Sequence, residues 1–424
     1  MARLAIDGGD PIRTRPLPTG FLGSRLVGDE EKAAVLEVLE GRSLSRVGGL
    51  TQPRMVAAFE RALAAKLGIK YALGVTSGTA ALKTALAALG IGPGDEVIVP
   101  ALNFISSPES VLHFGALPVF AEVDDSLSLD PEDFRRKITA KTKAVIPTHI
   151  FGVSCAMREI MSIAKEKGIA VVENCAWSCG ARYFGAFVGT IGDVGIYSLQ
   201  AVKVITAGEG GVVVTGSPHL YERAVRYHNH GNFLPAGMPP GPFEGDTGAF
   251  SPVLDPFVGD AYRMNELTGA IALAQVPKLD QVLAACRLAK LTMANGIEGI
   301  DGIRLRPAAD PSGDAGISLA VTFDRAREAT WWMNALTAEG VPLRPIYGGV
   351  PVYLLPQIQN LRPSWTNGQP FFRHGESPRY KAGICPRTED VMSRSLQMAI
   401  SPEFTEDDCA DVVSAFRKVA TASR

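Results

Sequence analysis

Between residues 70 and 174 the chain alternates short apolar runs with amphipathic stretches, and this restricts the fold more than any other feature. The segments "YALGVTS", "GDEVIVP", "LPVFAEVD", "KTKAVIPTHI" and "IAVVEN" read as strands. Among the intervening stretches, "GTAALKTALAALG" sets Leu82, Leu86 and Leu89 on one helical face. "SPESVLHFG" also reads as helix, and "MREIMSIAKEKG" aligns Met157, Ile160, Met161 and Ala164. Near-continuous apolar strands alternating with helices predict a mostly parallel sheet covered on both faces. Upstream, "GDEEKAAVLEVLEG" and "QPRMVAAFERALAAKLG" have the spacing of two further amphipathic helices.

Past Asp255 the pattern changes. "RMNELTGAIALAQ" and "LDQVLAACRLAKLTMANGI" read as a long helical connector broken near Pro277. A smaller unit follows: strand "GISLAVTF", helix "AREATWWMNALTAEG", strand "VPLRP", a proline- and glycine-rich loop, and a last helix near "EDDCADVVSAFRKVA". The expected class is α/β, with two domains. A large domain with a mostly parallel sheet covers residues 1–285, including the N-terminal helical segment, and a small C-terminal α+β domain covers 286–424. A chain of 424 residues has length enough for both.

Bulk properties narrow the partners. Net charge is −2 with no long basic run, so neither nucleic acid nor an anionic membrane is an expected partner. The apolar runs are too short for a membrane span, and "MARLAIDGGDPIRTRPLP" lacks the apolar core of an export signal. The six cysteines include no Cys-x-x-Cys pair, which suits reduced thiols and a cytoplasmic location. Cys175 and Cys179, the closest two, read as packing beside a strand end.

The chemistry is carried by a few strand ends. In "VTSGTAAL", Ser77, Gly78 and Thr79 lie between a strand and a helix, where free amides and the helix dipole attract phosphate. Ser77 there also reads as a simple helix cap. In "GIYSLQAVKVITAGEGGVVVT" a single lysine, Lys203, sits at a bend, five residues after Ser198 and ahead of the turn "GEGG". It is either a solvated surface charge or a buried amine for an aldehyde. Asn174 ends "VVEN" at the carboxyl edge of the sheet, where ligands of open α/β sheets bind. Phe104, just past "VPALN", is placed to stack on a flat ring. A phosphate site, an amine, a stacking ring and a strand-end polar group together suit pyridoxal 5'-phosphate, with a small-molecule substrate and no metal.

On the segments "SGTAAL", "GDEVIVP", "GALPVFAEVD", "FVGTIGDVGIYS", "KVITAGEGG", "YRMNEL" and "IYGGVPVY", the chain resembles the DegT/StrS family of pyridoxal-phosphate aminotransferases, which aminate keto sugars and keto cyclitols. The similarity runs from "GGDPIR" to the last helix. The resemblance implies fold type I, a homodimer with active sites at the interface, and Lys203 as the Schiff-base lysine. It also implies that Gly78, Thr79 and Ser198 hold phosphate and that Phe104 covers the ring. A donor such as glutamate or glutamine would supply the amino group.

The chain also departs from that family. "ENCAW" stands where "EDCAQ" or "EDAAH" is usual, so Asn174 replaces the aspartate that pairs with the pyridine nitrogen. Trp177 replaces the Gln or His that contacts the ring hydroxyl. A carboxylate beside that nitrogen supports its protonation by about one to three pKa units, roughly 1.4–4 kcal/mol, which neutral asparagine cannot match. Two alternatives to plain transamination follow. One is a reaction needing less ring protonation, such as elimination, racemisation or condensation. The other is a non-catalytic relative paired with an active paralogue.

Ala261 stands where the family's "YNYRM" has an asparagine, whereas Arg263 remains, as a phosphate partner across the interface or as a structural ion pair. His228, Asn229 and His230 resemble the family's substrate-side loop, His149 reads as a satisfied strand-end histidine, and Trp331–Trp332 as core plus surface packing.

Overall fold

The computed structural model describes residues 3–47, 49–231, 257–361, 364 and 380–422. Helices α1 (Asp29–Gly41) and α2 (Met55–Leu67) precede a sheet formed by β1 (Tyr71–Val75), β2 (Glu96–Pro100), β3 (Leu117–Ala121), β4 (Thr142–Val145) and β5 (Ala170–Asn174). A short hairpin, β6 (Arg182–Tyr183) and β7 (Ala186–Phe187), separates these from β8 (Val194–Ser198) and β9 (Gly211–Thr215). The helices between or after these strands are α3 (Gly78–Ala88), α4 (Ser106–His113), α5 (Pro131–Lys137), α6 (Met157–Lys167) and α7 (Pro218–Tyr227). The large sheet has seven strands in the order β1-β9-β8-β5-β4-β2-β3. Only β9 runs against its neighbours, pairing antiparallel with β1 and β8.

Both faces of this sheet are covered, as continuous apolar strands require. Val97 and Val99 of β2 pack in one cluster with Leu82 and Leu86 of α3, while Ile98 between them packs in another with Met157 and Ile160 of α6. Burying one such side chain stabilises the fold by about 1.5–3 kcal/mol. Several strands stop earlier than their sequence runs: β3 ends at Ala121 and β4 at Val145. Pro147 has no N–H to donate to the ladder, yet its carbonyl accepts the Asn174 amide at 2.9 Å and Thr148 bridges to Asn174, so past β4 the pairing narrows to an isolated bridge beside the site.

The connector consists of α8 (Glu266–Gln275), a 3₁₀ turn at Val276–Lys278 containing Pro277, and α9 (Leu279–Ile297). Residue 285 falls inside α9, which leads from one sheet towards the other. The second sheet, in the order β10-β11-β13-β12, is antiparallel. It consists of β10 (Ile303–Leu305), β11 (Ser318–Phe323), β12 (Arg344–Pro345) and β13 (Ser395–Ala399), with α10 (Ala326–Ala338), α11 (Pro356–Gln359), α12 (Pro386–Ser393) and α13 (Glu406–Ala422). Strand β13 and the β6–β7 hairpin are additions to the elements expected from sequence, and the strand expected from "VPLRP" is only two residues long. Residues 362–363 and 365–379 of the proline- and glycine-rich loop lie outside the described residues. Trp332 is buried between Phe323 and Phe416, with Trp331 partly buried at its edge, as core plus surface packing requires.

The first residues of the chain attach to the second unit. Buried Arg13 pairs with Asp408 at 2.6 Å and Asp411 at 2.8 Å. Glu339 accepts the amides of Ala5 and Ile12 at 2.9 and 3.0 Å and pairs with Lys418, which also donates to the Asp10 carbonyl at 2.7 Å.

Candidate active site

The ends of β1 and β8, the start of β9 and the start of α3 meet at one edge of the large sheet. Ser77 caps α3, its Oγ accepting the amide of Ala80 at 3.0 Å, and its carbonyl accepts the amide of Ala81 at 2.9 Å. The amides of Gly78 and Thr79 are left for an anion, since the first amides of a helix have no intrahelical acceptor. A Cβ on Gly78 would come 2.9 Å from the Ser198 Cβ, and one on Gly211 would come 2.2 Å from the Ser77 carbonyl oxygen. The cradle is therefore closed in by the Ser198 side chain and the Ser77 backbone, and its glycines are steric necessities. Gly211→Ala should destabilise the protein by about 1–3 kcal/mol through overpacking. It should also raise the dissociation constant for pyridoxal phosphate at least about tenfold, read by fluorescence titration. Unchanged melting and unchanged binding would refute this account of the cradle.

Lys203 lies on a tightly held bend that follows Ser198, one wall of this cradle. The Leu199 amide donates to the Gly210 carbonyl, and the Leu199 carbonyl accepts both the Ala207 amide at 2.9 Å and Thr206 Oγ1 at 2.8 Å. The Lys203 amide donates to the Gln200 carbonyl, and its own carbonyl accepts the Gly23 amide, each at 2.9 Å. Val204 and Ile205 anchor the bend in the core. The backbone is thus fixed, while Nζ has no hydrogen-bond or carboxylate partner among the described residues. It lies 3.2 Å from the ring centroid of Trp177. Burial lowers its pKa from 10.5 to about 7, so a large share of the amine is neutral and nucleophilic near neutral pH.

Trp177, the ring against this amine, begins a cluster of four aromatic side chains. Trp177 Nε1 donates to Tyr347 Oη at 2.8 Å. Phe151 meets Trp177 edge-on at 5.2 Å between centroids and Tyr347 at 5.6 Å. Phe104 lies 6.3 Å from Tyr347 and is 53% exposed, free to cover a flat group. Phe151 and Tyr347 both have left-handed backbones, φ 51° and 46°, which bulky residues rarely adopt and which cluster at functional sites.

Asn174 is buried at the end of β5. The Ala176 amide donates to its Oδ1 at 3.0 Å, and because an N–H can only donate, this contact fixes which side-chain atom is oxygen. Nδ2 then donates to Ser107 Oγ at 3.1 Å, Ser107 Oγ donates to Asn103 Oδ1 at 3.2 Å, and Asn103 Nδ2 donates to Thr148 Oγ1 at 2.9 Å. The asparagine is built into a directional chain of donors that an aspartate would have to rearrange.

Glu173, on the opposite face of β5, accepts the amides of Gly189, Ile191 and Gly192 at 2.8, 2.7 and 2.6 Å. His149 Nε2 is 3.1 Å from the same carboxylate, and the Cys155 amide donates to His149 Nδ1 at 3.0 Å. This leaves the ring proton on Nε2, so His149 is the satisfied strand-end residue that its sequence position suggests. His149, Glu173 and Cys175 bring ligand-type atoms within 4.8 Å of one another. The histidine and carboxylate are already hydrogen-bonded, and burial pushes the Cys175 thiol up to about 12, which keeps it protonated. All six cysteines are free and buried.

Arg263 continues the edge of β1 by an antiparallel bridge to Val75. Its Nη1 donates to Asn229 Oδ1, and no carboxylate pairs with it among the described residues. His228 is buried, its Nδ1 at the Val225 carbonyl, and burial with nearby Arg46 lowers its pKa to about 3, so it stays neutral. The His228–His230 run therefore braces Arg263 more than it offers ligands. Ala261 is exposed and bridges to Asn229.

A mostly parallel sheet with an anion cradle and a half-buried amine at one edge is the arrangement of pyridoxal-phosphate aminotransferases. A crystal structure of S. venezuelae DesV in complex with ketimine intermediate superposes with a TM-score of 0.77 at 29% identity, covering 92% of this chain and 94% of that one. Residues 26–417 match the DegT/DnrJ/EryC1/StrS aminotransferase family, and the chain belongs to it. The L-glutamine:2-deoxy-scyllo-inosose aminotransferase of Streptomyces fradiae is 34% identical over 98% of this chain and 97% of its own length. The UDP-N-acetyl-3-dehydro-alpha-D-glucosamine 3-aminotransferase of Acidithiobacillus ferrooxidans is 33% identical over 85% and 87%. The chain is thus an enzyme of the aminotransferase type, which weighs against a non-catalytic relative.

The structure brings Gly78 against Ser198, Lys203 against Trp177 and Arg263 against Val75 at the end of β1, while Phe104 reaches Tyr347 and Asn174 joins Ser107. Sequence reasoning missed Tyr347, Phe151 and Glu173. Glu173 carries a signal in hindsight, as a lone carboxylate inside an apolar strand run. Tyr347 lies in "IYGGVPVY", a segment that carries the resemblance, although nothing local ties it to Trp177; Phe151 carries no signal.

Proposed function

We propose that the protein is a pyridoxal-phosphate aminotransferase that moves the amino group of glutamine or glutamate to the ketone of a keto cyclitol or keto sugar. The observation that carries this reading is the Lys203 amine, unpartnered and partly desolvated beside a glycine-walled anion cradle. The near full-length likeness to a glutamine-dependent cyclitol aminotransferase supports the cyclitol as first choice of acceptor. Gly78, Thr79 and Ser198 would hold the cofactor phosphate, and Arg263 would add charge to that site across a homodimer interface. Phe104 would cover the ring, Asn174 would face its nitrogen, and Trp177 would stand at its hydroxyl edge.

When bound, pyridoxal phosphate supplies an aldehyde that captures amines and an electron-withdrawing ring that makes the adjacent carbon–hydrogen bond acidic. The protein's own residues do the rest. The Lys203 amine, with a pKa of about 7, is poised both to attack a carbonyl as a neutral nucleophile and to take and return a proton as general base and acid. The rings of Phe104, Phe151, Trp177 and Tyr347 exclude water from that amine. The α3 amides orient whatever anion they hold.

The test is to load the protein with pyridoxal phosphate, add L-glutamine or L-glutamate, and then offer 2-deoxy-scyllo-inosose or a nucleotide-linked keto sugar, with the amino product read by mass spectrometry. Donor-dependent amination of one acceptor is expected. If neither donor discharges the cofactor's absorbance, the transamination reading fails.

The Asn174 network supports a second reading, in which a neutral ring environment serves elimination, racemisation or condensation. Asn174→Asp would add the missing countercharge, and under the first reading the donor half-reaction should speed up about tenfold, corresponding to one pKa unit of added ring support. No gain, or a slower reaction, would favour the second.

A further inference from the structure

The lysine's surroundings contain a feature that transamination does not require. An ammonium is ordinarily satisfied by a carboxylate, a carbonyl or water, yet Nζ of Lys203 meets the face of an indole, 3.2 Å from its centroid. That indole is itself held. Its N–H is committed to Tyr347 Oη at 2.8 Å, so it cannot also serve as donor to another ligand. Phe151 abuts the ring edge-on at 5.2 Å. Both supporting residues have left-handed backbones, an arrangement that persists only where the surroundings enforce it.

We propose that Trp177 is the positioning residue of Lys203: its indole face, locked by Tyr347 and Phe151, seats the amine and favours its protonated form. The inference builds on Lys203 as the reactive amine of the proposed function, but it concerns the protein before any cofactor binds. A cation over an indole is attracted by the ring quadrupole, whereas burial alone favours the neutral amine. The two effects oppose each other, and substitution at Trp177 separates them. Other charges do not confuse the reading. Burial is the one resolved influence on the amine, with no carboxylate, guanidinium or second ammonium acting on it among the described residues. The titratable group held against the indole is the Tyr347 phenol. Burial raises the phenol and keeps it neutral.

The experiment uses cofactor-free protein. Acetic anhydride labelling of Lys203 against pH, read by peptide mass spectrometry, gives the midpoint of its titration in wild type, Trp177→Leu, Trp177→Phe and Tyr347→Phe. Leucine keeps apolar cover without a ring, so the midpoint should fall by about 0.5–1.5 pKa units. Phenylalanine should lower it less, and Tyr347→Phe, which frees the indole, should lower it by a fraction of the leucine effect. A second readout is tryptophan emission, which should titrate at the wild-type labelling midpoint and lose that transition in Lys203→Ala. An unmoved or raised midpoint in folded Trp177→Leu overturns the proposal. If that variant does not fold, unmoved midpoints in both Trp177→Phe and Tyr347→Phe overturn it equally. If the loaded protein shows no donor-dependent amination while the cofactor-free midpoints shift as expected, the proposed function fails and the indole seat stands, so the two claims fail separately.

Discussion

Lys203→Ala should abolish amination, lowering turnover by about 10⁴-fold, the upper end of what a positioned general acid–base group contributes. The loss should come with almost no change in stability, because Nζ has no hydrogen bond or ion pair to forfeit among the described residues and the bend is held by backbone bonds at Leu199, Lys203 and Ala207. Deleting a partly desolvated amine even removes a small unfavourable term. The measurements are donor-dependent product formation and a melting curve on the same preparation. Retention of more than a few per cent of activity would show that another amine carries the chemistry. Loss of activity together with collapse of the fold would mean that the bend depends on the side chain after all.

A second variant should show the converse pattern. Glu173→Ala should destabilise the protein by about 3–5 kcal/mol, because one carboxylate satisfies the three backbone amides at Gly189, Ile191 and Gly192 and the His149 ring. Alanine strands four donors at once, two of them fully buried and two partly buried. Glu173 is wholly buried, so water cannot replace the lost acceptor without opening the site. Urea unfolding would measure the loss, and a change below about 1 kcal/mol would sink the claim. The effect should also reach the site, since Glu173 immediately precedes Asn174 and the His149 segment carries Phe151 behind it.

How far the sequence was informative can be judged from particular residues. The strand–helix alternation from β1 to β5 was plain, because buried parallel strands need long apolar runs and α3 and α6 need one apolar face each. Lys203 was legible because a single charge at a strand–turn–strand bend beside "GEGG" has few structural uses. The steric need for Gly211 was not legible, since it depends on the Ser77 carbonyl 2.2 Å from where a Cβ would stand. Asn174 was visible as a departure, but the direction of its amide is set by the Ala176 N–H and Ser107 and cannot be read from a run of letters. Trp177 was read as a lost polar contact. Its partner Tyr347 lies 170 residues away, and no local pattern links the two. Strand ends also differ, because apolar character continues past Val145 and Ala121 into segments where pairing is reduced to isolated bridges.

The attachment of residues 5–13 to Glu339, Asp408, Asp411 and Lys418 has a consequence for biosynthesis. Asp10 and Lys418 are 408 positions apart, and a ribosome adding about 5–20 residues per second needs roughly 20–80 s to cover that distance. Throughout that interval the first segment emerges without its anchors, whereas the β1–β5 region can already begin to pair. Residues 5–13 should therefore settle after elements that are made later than they are. Pulse-labelled nascent chains probed by limited proteolysis should remain sensitive near Arg13 until the final helix clears the exit tunnel.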